Sequence, residues 1–361
     1  MSTVGGIKFS GRRIALVYLN SGNGHLAQAL ALQQLLHDTD PELHVTLLHG
    51  FGKRNRLLNF VFEKGYGISC NYESGAFSLI YDIGEHECVL RVLTHLFAPL
   101  VTGYLKRQLQ EQEISDVISF HFATTPFLAK AIRATGRDIR LATVCTDPFT
   151  APRAWFRTPR ADLFVYSQEL RQQAIAQGMA PDRVRIIPFL LAKKYRELNT
   201  GIPRGIRKAR LGFAPGVPLL LIAGGGNGLP GARKIVAECV RLRIPCDIAV
   251  ICGRNTVLAQ QVQLLARQTV LPRIRTFSFI DNMEEFLCAA DLAVTKAGAS
   301  AVFEAIACRC PVILSHYIYN QELGNMRYVV RHGYGYFIQE PEAICRRIQN
   351  FFRDMQGGKP V

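Results

Sequence analysis

Leu292-Ala293-Val294-Thr295-Lys296-Ala297-Gly298-Ala299-Ser300-Ala301-Val302-Phe303-Glu304-Ala305-Ile306 is the most structured passage of this chain. Leu292 to Val294 is a short apolar run of the kind carried by a strand buried on both faces. A turn of small residues follows, and from Ala301 the apolar spacing becomes helical. Pro311-Val312-Ile313-Leu314 then starts a second buried run. Strand, small turn, helix and strand make the repeating unit of a parallel sheet covered by helices.

The same alternation extends to both sides. Unalternating runs rich in Val, Ile and Leu predict strands over 14–19, 45–48, 117–120, 141–145, 163–166, 185–187, 219–223, 248–252 and 274–277, besides 292–294 and 312–314. Helical patterns separate most of them. The chain of 361 residues is too long for one ordinary core. A Gly/Pro cluster, Gly201-Ile202-Pro203-Arg204-Gly205, places the join at 190–206. The expected organisation is an α/β domain over 1–190, a second over 206–340, and a C-terminal helix and tail over 341–361, with a ligand cleft between the two domains.

Lys plus Arg total 43 and Asp plus Glu 28, a net charge of +15. That balance favours anionic partners: nucleic acid, acidic lipid or phosphorylated substrates. The basic residues are dispersed and no recognition module is readable, so nucleic acid is not the expected partner. Ten cysteines without Cys-x-x-Cys spacing read as buried thiols rather than zinc ligands. The run Ile14 to Leu19 after Arg12 and Arg13 is too short for a signal segment, and no run is long enough to span a bilayer. Any membrane contact is therefore expected to be peripheral. Residues 51–66 mix Phe51, Leu58, Phe60 and Phe62 with Lys53, Arg54, Arg56 and Lys64. This segment reads either as a basic amphipathic stretch for a lipid interface or as a helix packed on the N-terminal domain. Leu93, Leu96, Phe97, Leu100, Val101 and Tyr104 form a helical stripe, broken by Pro99, that reads as core.

Chemistry is concentrated where strands end. Gly22-Asn23-Gly24-His25 closes the first strand. Gly22 and Gly24 let the backbone approach a ligand, and His25 stands at a helix start, as a base for a hydroxyl or as a local cap. Asp147 follows another strand in Thr146-Asp147-Pro148; it reads as a base, as an orienter of His25, as a hydroxyl acceptor or as an Asx turn. Arg153, Arg157 and Arg160 surround Trp155, to meet an anionic headgroup or solvent. Gly224-Gly225-Gly226-Asn227-Gly228-Leu229-Pro230-Gly231 contains G-x-G-x-x-G, but the acidic residue of a dinucleotide site is missing from the end of the next strand. A cradle of N–H groups for a diphosphate, with Pro230 in the first helical turn, remains. The turn at Gly298, Ala299 and Ser300 offers a second such cradle. Glu304 can accept from sugar hydroxyls, and Gln321 and Asn325 can read further ones. Together these features suggest a nucleotide-sugar pocket. The loop Phe279-Ile280-Asp281-Asn282-Met283 could read a flat pyrimidine edge with its backbone.

Four segments, in order, resemble the GT-B glycosyltransferases of the monogalactosyldiacylglycerol synthase and processive diacylglycerol glucosyltransferase group, relatives of MurG. They are Gly22 to His25; Thr146-Asp147-Pro148-Phe149-Thr150 with Trp155-Phe156; the Gly224–Gly226 loop with Cys252-Gly253-Arg254-Asn255; and the block from Phe279 through Thr295-Lys296-Ala297-Gly298 and Glu304 to Gln321-Glu322, Gly324-Asn325 and Tyr328. The resemblance implies two Rossmann-like parallel-sheet domains facing across a cleft. Phe279, Ile280 and Met283 would then lie at uracil and Glu304 at ribose. Gly298, Ala299 and Ser300 would hold the diphosphate with the Gly224, Gly225, Gly226, Asn227 loop, helped by Lys296, and Arg254 would belong to the same UDP-sugar site. Gln321, Glu322 and Asn325 would meet the sugar, and His25 and Asp147 would serve the acceptor. The family's Ala-Gly-Pro-Gly-Thr turn is Ala297-Gly298-Ala299-Ser300-Ala301 here, and Pro152-Arg153 stands where the galactolipid enzymes carry His-Pro. The expectation is inverting, metal-independent transfer of a hexose from a UDP-sugar to a lipid such as diacylglycerol, without a cofactor. The enzyme would sit on the cytoplasmic, anionic face of the cell membrane. A UDP-N-acetylglucosamine 2-epimerase and a non-catalytic nucleic-acid binder are the alternative readings.

Overall fold

The computed structural model describes residues 3–20, 23–52, 55–60, 87–158, 161–318 and 321–357. The chain divides into two compact units, Met1–Lys193 with Tyr319–Gly324, and Lys194–Ile318 with Asn325–Val361.

The first unit starts with a two-stranded antiparallel hairpin, β1 (Thr3–Val4) and β2 (Ile7–Lys8), turned by Gly5-Gly6. Its main sheet contains β3 (Arg13–Tyr18), β4 (His44–His49), β5 (Asp116–Ser119), β6 (Arg140–Val144), β7 (Asp162–Val165) and β8 (Val184–Ile186). All are parallel, in the order β4-β3-β5-β6-β7-β8. The unalternating pattern of β3 has a direct cause. Ile14 and Leu16 pack on one face with Leu32 and Leu36 of the helix Asn23–Thr39, while Ala15 and Val17 pack on the other with Leu105 and Leu128. Both faces are covered, so every position from Ile14 to Val17 is apolar.

The second unit holds β9 (Leu219–Ala223), β10 (Asp247–Gly253), β11 (Arg273–Ser278), β12 (Leu292–Lys296), β13 (Val312–His316) and β14 (Gly335–Phe337). They too are all parallel, ordered β11-β10-β9-β12-β13-β14. Leu220 is flanked in register by Ile248 and Leu292. The C-terminal helix Pro341–Gln356 buries Ile344, Cys345, Ile348, Phe351 and Phe352 in this unit's core. Buried Asp291, just before β12, accepts from Lys208 Nζ at 2.6 Å and from the Leu219 backbone N–H at 2.7 Å. This pair ties the helix Arg204–Arg210 to the base of the sheet.

In each sheet the first strand lies between its successor and a later strand. The winding therefore reverses between β3 and β5 in the first unit and between β9 and β12 in the second. Open α/β sheets bind ligands outside the carboxyl ends of the strands at such a reversal.

The eleven expected strands all occur, within two residues of their expected bounds. The hairpin β1–β2 and the edge strand β14 were not expected. The helix Glu87–Glu111 runs through Pro99 instead of breaking there. Pro99 lies on the exposed face, where water can serve the carbonyl that its missing N–H leaves free. The expected stripe is divided: Val101 is buried, Phe97 and Tyr104 pack against the core, and Leu96 and Leu100 are 68% and 63% exposed. Phe51 and Leu58 are core residues, whereas Phe60 is exposed. Lys53, Arg54, Phe62, Lys64 and the side chains of Arg56 and Leu93 lie outside the described residues. No described helix is long and apolar enough to cross a membrane. Every cysteine whose side chain is described is a free thiol, and all but Cys288 are buried.

Candidate functional site

In the first unit, the reversal point gathers residues from the ends of three strands. His25 is the third residue of the helix that follows β3. It is buried, and its Nδ1 lies 2.8 Å from the Phe120 carbonyl oxygen, beyond β5, and 2.9 Å from Thr146 Oγ1, beyond β6. A carbonyl can only accept, so Nδ1 carries the proton and Nε2 presents a lone pair. Burial pulls the His25 pKa down to about 4, partly opposed by the Phe120 carbonyl, so the ring is neutral at neutral pH.

Asp147 is also buried. Trp155 Nε1 donates to its Oδ2 at 2.9 Å, and Gln321 Nε2 donates to its Oδ1 at 3.0 Å. Burial pushes its pKa up to about 6; the two donors hold it down and nearby Glu322 raises it. Trp155 stands between the two expected residues, bonded to Asp147 and with its ring centroid 6.3 Å from that of His25. His25 is oriented by Phe120 and Thr146, not by the Asp147 carboxyl. Gly22 and Arg160 lie outside the described residues; Gly24 has open space where a Cβ would stand.

In the second unit, the glycine loop after β9 folds onto the turn after β10. The Arg254 N–H donates to Gly226 O at 2.8 Å, and Asn255 Nδ2 reaches Asn227 O at 3.4 Å. The fit admits no side chain: a Cβ on Gly224 would lie 2.4 Å from Leu229 Cα, and one on Gly253 would lie 2.2 Å from Gly226 O. The helix begins at Ala232 with Gly231 as its cap, so Pro230 precedes the first turn instead of occupying it. The Arg254 guanidinium lies 5.5 Å from the ring centroid of Phe279, which is 51% exposed in the loop after β11. Ile280 and Met283 are half-buried beside it.

Gly298 caps the helix Ala299–Ala307 after β12 and, as a glycine, offers no side chain to its first N–H groups. Ser300 and Lys296 flank that end, both half-buried. Glu304, in the second turn, accepts from the Tyr195 hydroxyl at 3.0 Å. Burial pushes the Glu304 carboxyl up to about 7, against the Tyr195 donor and the Lys194 charge. Asn325 is buried; its Nδ2 donates to Ala297 O at 2.8 Å, while its Oδ1 has no partner among the described residues. Gln321 and buried Glu322 belong instead with the first unit, at Asp147.

Three participants went unflagged in the sequence. His121 stands at the end of β5 and obeys the same strand-end rule that selects His25. Lys194 and Tyr195 sit in the segment Lys193–Arg196, where nothing in the sequence pairs them with Glu304. Asp38-Thr39-Asp40 is literally Asp-x-Asp, yet Asp38 is exposed at the far end of the helix Asn23–Thr39 and paired with Lys193 at 2.9 Å. Among the described residues no three His, Cys, Asp or Glu side chains gather to hold a metal ion.

Two family models match. Monogalactosyldiacylglycerol (MGDG) synthase covers residues 25–188, and the glycosyltransferase family 28 C-terminal domain covers 219–359. The probable monogalactosyldiacylglycerol synthase 2 of rice (Oryza sativa subsp. japonica) is 27% identical over 355 residues, 94% of this chain and 74% of that protein. The chain spans 66% of the length of the spinach synthase and 65% of the tobacco one. Among solved structures, MurG of Acinetobacter baumannii superposes with a TM-score of 0.61 at 16% identity, over 96% of this chain and 91% of that one. A putative UDP-N-acetylglucosamine 2-epimerase of Listeria monocytogenes gives 0.61 at 14%, over 96% and 89%.

Proposed function

We infer that this chain, a GT-B-fold glycosyltransferase related to the monogalactosyldiacylglycerol synthases and MurG, moves a hexosyl group from a UDP-sugar to a lipid hydroxyl such as that of diacylglycerol. The observation that carries this reading is His25: a neutral, buried imidazole with its Nδ1–H held by a carbonyl and its Nε2 lone pair open. It stands at the sheet reversal of the half that matches the MGDG synthase family. In this reading Nε2 takes the proton of the acceptor hydroxyl as its oxygen bonds the anomeric carbon. The bond from that carbon to the UDP oxygen breaks, UDP leaves with the electron pair, and the configuration inverts. The Phe120 carbonyl steadies the imidazolium that forms. Asp147 is the second candidate base, its carboxyl ionised above about 6.

The second unit takes the donor. Phe279, backed by Arg254, offers a flat face to uracil with Ile280 and Met283 alongside. Glu304 accepts from the ribose hydroxyls. Negative charge growing on UDP meets the N–H groups of Gly224, Gly225, Gly226 and Asn227, the helix start at Gly298, Ala299 and Ser300, and Lys296. The Oδ1 of Asn325, without a partner among the described residues, suits a sugar hydroxyl. The reading calls on no cofactor and no divalent ion.

A lipid acceptor and a charge of +15 favour peripheral attachment to an anionic membrane on its cytoplasmic side. Flotation with anionic and neutral vesicles tests that attachment; equal recovery with both argues against it. The activity is tested by mass spectrometry of lipids from a host that expresses the protein. A new glycolipid, absent with Glu304→Ala, is the expected result, and identical lipids in both overturn the acceptor assignment. Incubation with UDP-N-acetylglucosamine alone separates the epimerase reading, which requires an epimerised sugar.

A further inference from the structure

His121 lies two residues beyond the end of β5, and the surrounding hydroxyls fix its turn. Its carbonyl accepts from Ser119 Oγ at 3.0 Å and from Thr124 Oγ1 at 2.9 Å. Its ring is buried between neighbours, with centroids 4.6 Å from His25, 4.6 Å from Phe122 and 6.4 Å from Trp155. The Ala123 backbone N–H donates to Nδ1 of His121 at 3.1 Å. A backbone N–H can only donate, so Nδ1 holds the lone pair and the proton of the neutral ring sits on Nε2. His25 is the mirror case: its Nδ1–H donates to Phe120 O, and its Nε2 is bare. Two touching imidazoles are thus locked in opposite tautomers. Neither Nε2 has a hydrogen-bond partner among the described residues, and neither is a sealed, unpaired atom.

We propose that His121 is an acceptor-binding residue, whose Nε2–H donates to an oxygen next to the hydroxyl that His25 deprotonates. This rests on the first unit's being the acceptor half of a glycosyltransferase. The chemistry selects the neighbouring oxygen. The attacking hydroxyl gives its proton to His25 and a lone pair to the anomeric carbon, and an N–H pointed at the same oxygen would withdraw the electron density the attack needs. The pair of rings therefore fits an acceptor with a hydrogen-bond-accepting oxygen adjacent to its free hydroxyl, as in the glycerol ester of a diacylglycerol, better than a simple long-chain alcohol.

Two substitutions separate recognition from support. In His121→Asn the amide oxygen can stand in for Nδ1 and keep the Ala123 contact, but nothing replaces Nε2–H. In His121→Gln the longer amide can place an N–H near Nε2, but the Ala123 contact is lost. Full-length variants are assayed with UDP-galactose and UDP-glucose against 1,2-dioleoylglycerol and hexadecanol in micelles, alongside Tm and calorimetric UDP affinity. The expected result is a KM for dioleoylglycerol about tenfold higher in His121→Asn, the size of one lost hydrogen bond. Its Tm and UDP affinity stay at wild-type values, and its discrimination against hexadecanol shrinks. His121→Gln recovers most of the acceptor KM at a lower Tm. Wild-type acceptor KM in His121→Asn overturns the inference and leaves the proposed function standing. So does an equal fall in Tm and acceptor use in both variants, the mark of a purely structural histidine. If the wild-type enzyme glycosylates neither acceptor, the reading of the first unit falls and this inference falls with it. Nitrogen-15 correlation spectra of the two rings report the tautomers independently of turnover; a proton on Nδ1 of His121 also overturns it.

Discussion

Gln321 donates from Nε2 to Oδ1 of Asp147 at 3.0 Å, joining positions 174 residues apart in the chain. With Trp155 on the other oxygen, both contacts favour the ionised carboxyl, while burial favours the neutral one more strongly and the pKa is raised to about 6. Gln321→Ala removes one of these donors, so the carboxyl holds its proton to higher pH. If Asp147 must be ionised for turnover, the acid limb of kcat/KM moves up from about 6 in this variant. A pH–rate profile measures it. A limb that stays in place takes Asp147 out of the rate-governing protonation.

His25 carries the opposite expectation. Its pKa is drawn down to about 4, so it is already neutral through the physiological range and contributes no limb near the ordinary histidine value. His25→Gln lowers kcat by roughly 10²–10⁴, the usual worth of a positioned general base. UDP affinity, measured by calorimetry, stays at the wild-type level. Lost UDP binding with kcat preserved means that the two halves have been given each other's roles.

The sheets were legible through their inner strands, which are covered on both faces and so carry continuous apolar runs, as in β9 and the Ile14–Val17 part of β3; β11, at an edge, has only exposed and half-buried positions. Strand β14 was not, because Gly335, Tyr336 and Phe337 are only half-buried at a sheet edge and carry no run. The hairpin at Gly5-Gly6 joins strands of only two residues each, too short for a period of two to show. For the site, the strand-end rule reached His25, Asp147, the glycine loop and Gly298. It could not reach partners set by tertiary folding. Nothing near Lys194 or Tyr195 in the chain foretells Glu304, and nothing near Gln321 foretells Asp147.

Glu304 titrates in a useful range. Its pKa is raised to about 7 by burial, and the Tyr195 hydroxyl counters that rise. A protonated carboxyl loses acceptor capacity for ribose hydroxyls, so UDP affinity strengthens as pH rises through about 7. Tyr195→Phe removes a donor that favours the carboxylate and moves this midpoint higher. Glu304→Gln abolishes the portion of the pH dependence that belongs to the protein, and the difference from wild type cancels the ionisation of UDP itself. Parallel calorimetric curves for wild type and Glu304→Gln across neutral pH remove Glu304 from the nucleotide site.

Gly253 tests whether the glycine loop is a shaped surface or merely a connection. Its φ is +60°, and a Cβ there would stand 2.2 Å from Gly226 O and 2.7 Å from Gly226 C, backbone atoms that cannot swing aside. The left-handed conformation alone costs an L-residue about 1–2 kcal/mol. Gly253→Ala must therefore push the two loops apart, breaking the 2.8 Å bond from the Arg254 N–H to Gly226 O and drawing the guanidinium away from Phe279. UDP affinity then falls together with Tm. Gly216→Ala is the control: the residue is exposed, its Cβ meets nothing within 4 Å, and neither quantity changes. A Gly253→Ala protein with lower Tm but wild-type UDP affinity would show that the loop supports the fold and does not touch the diphosphate.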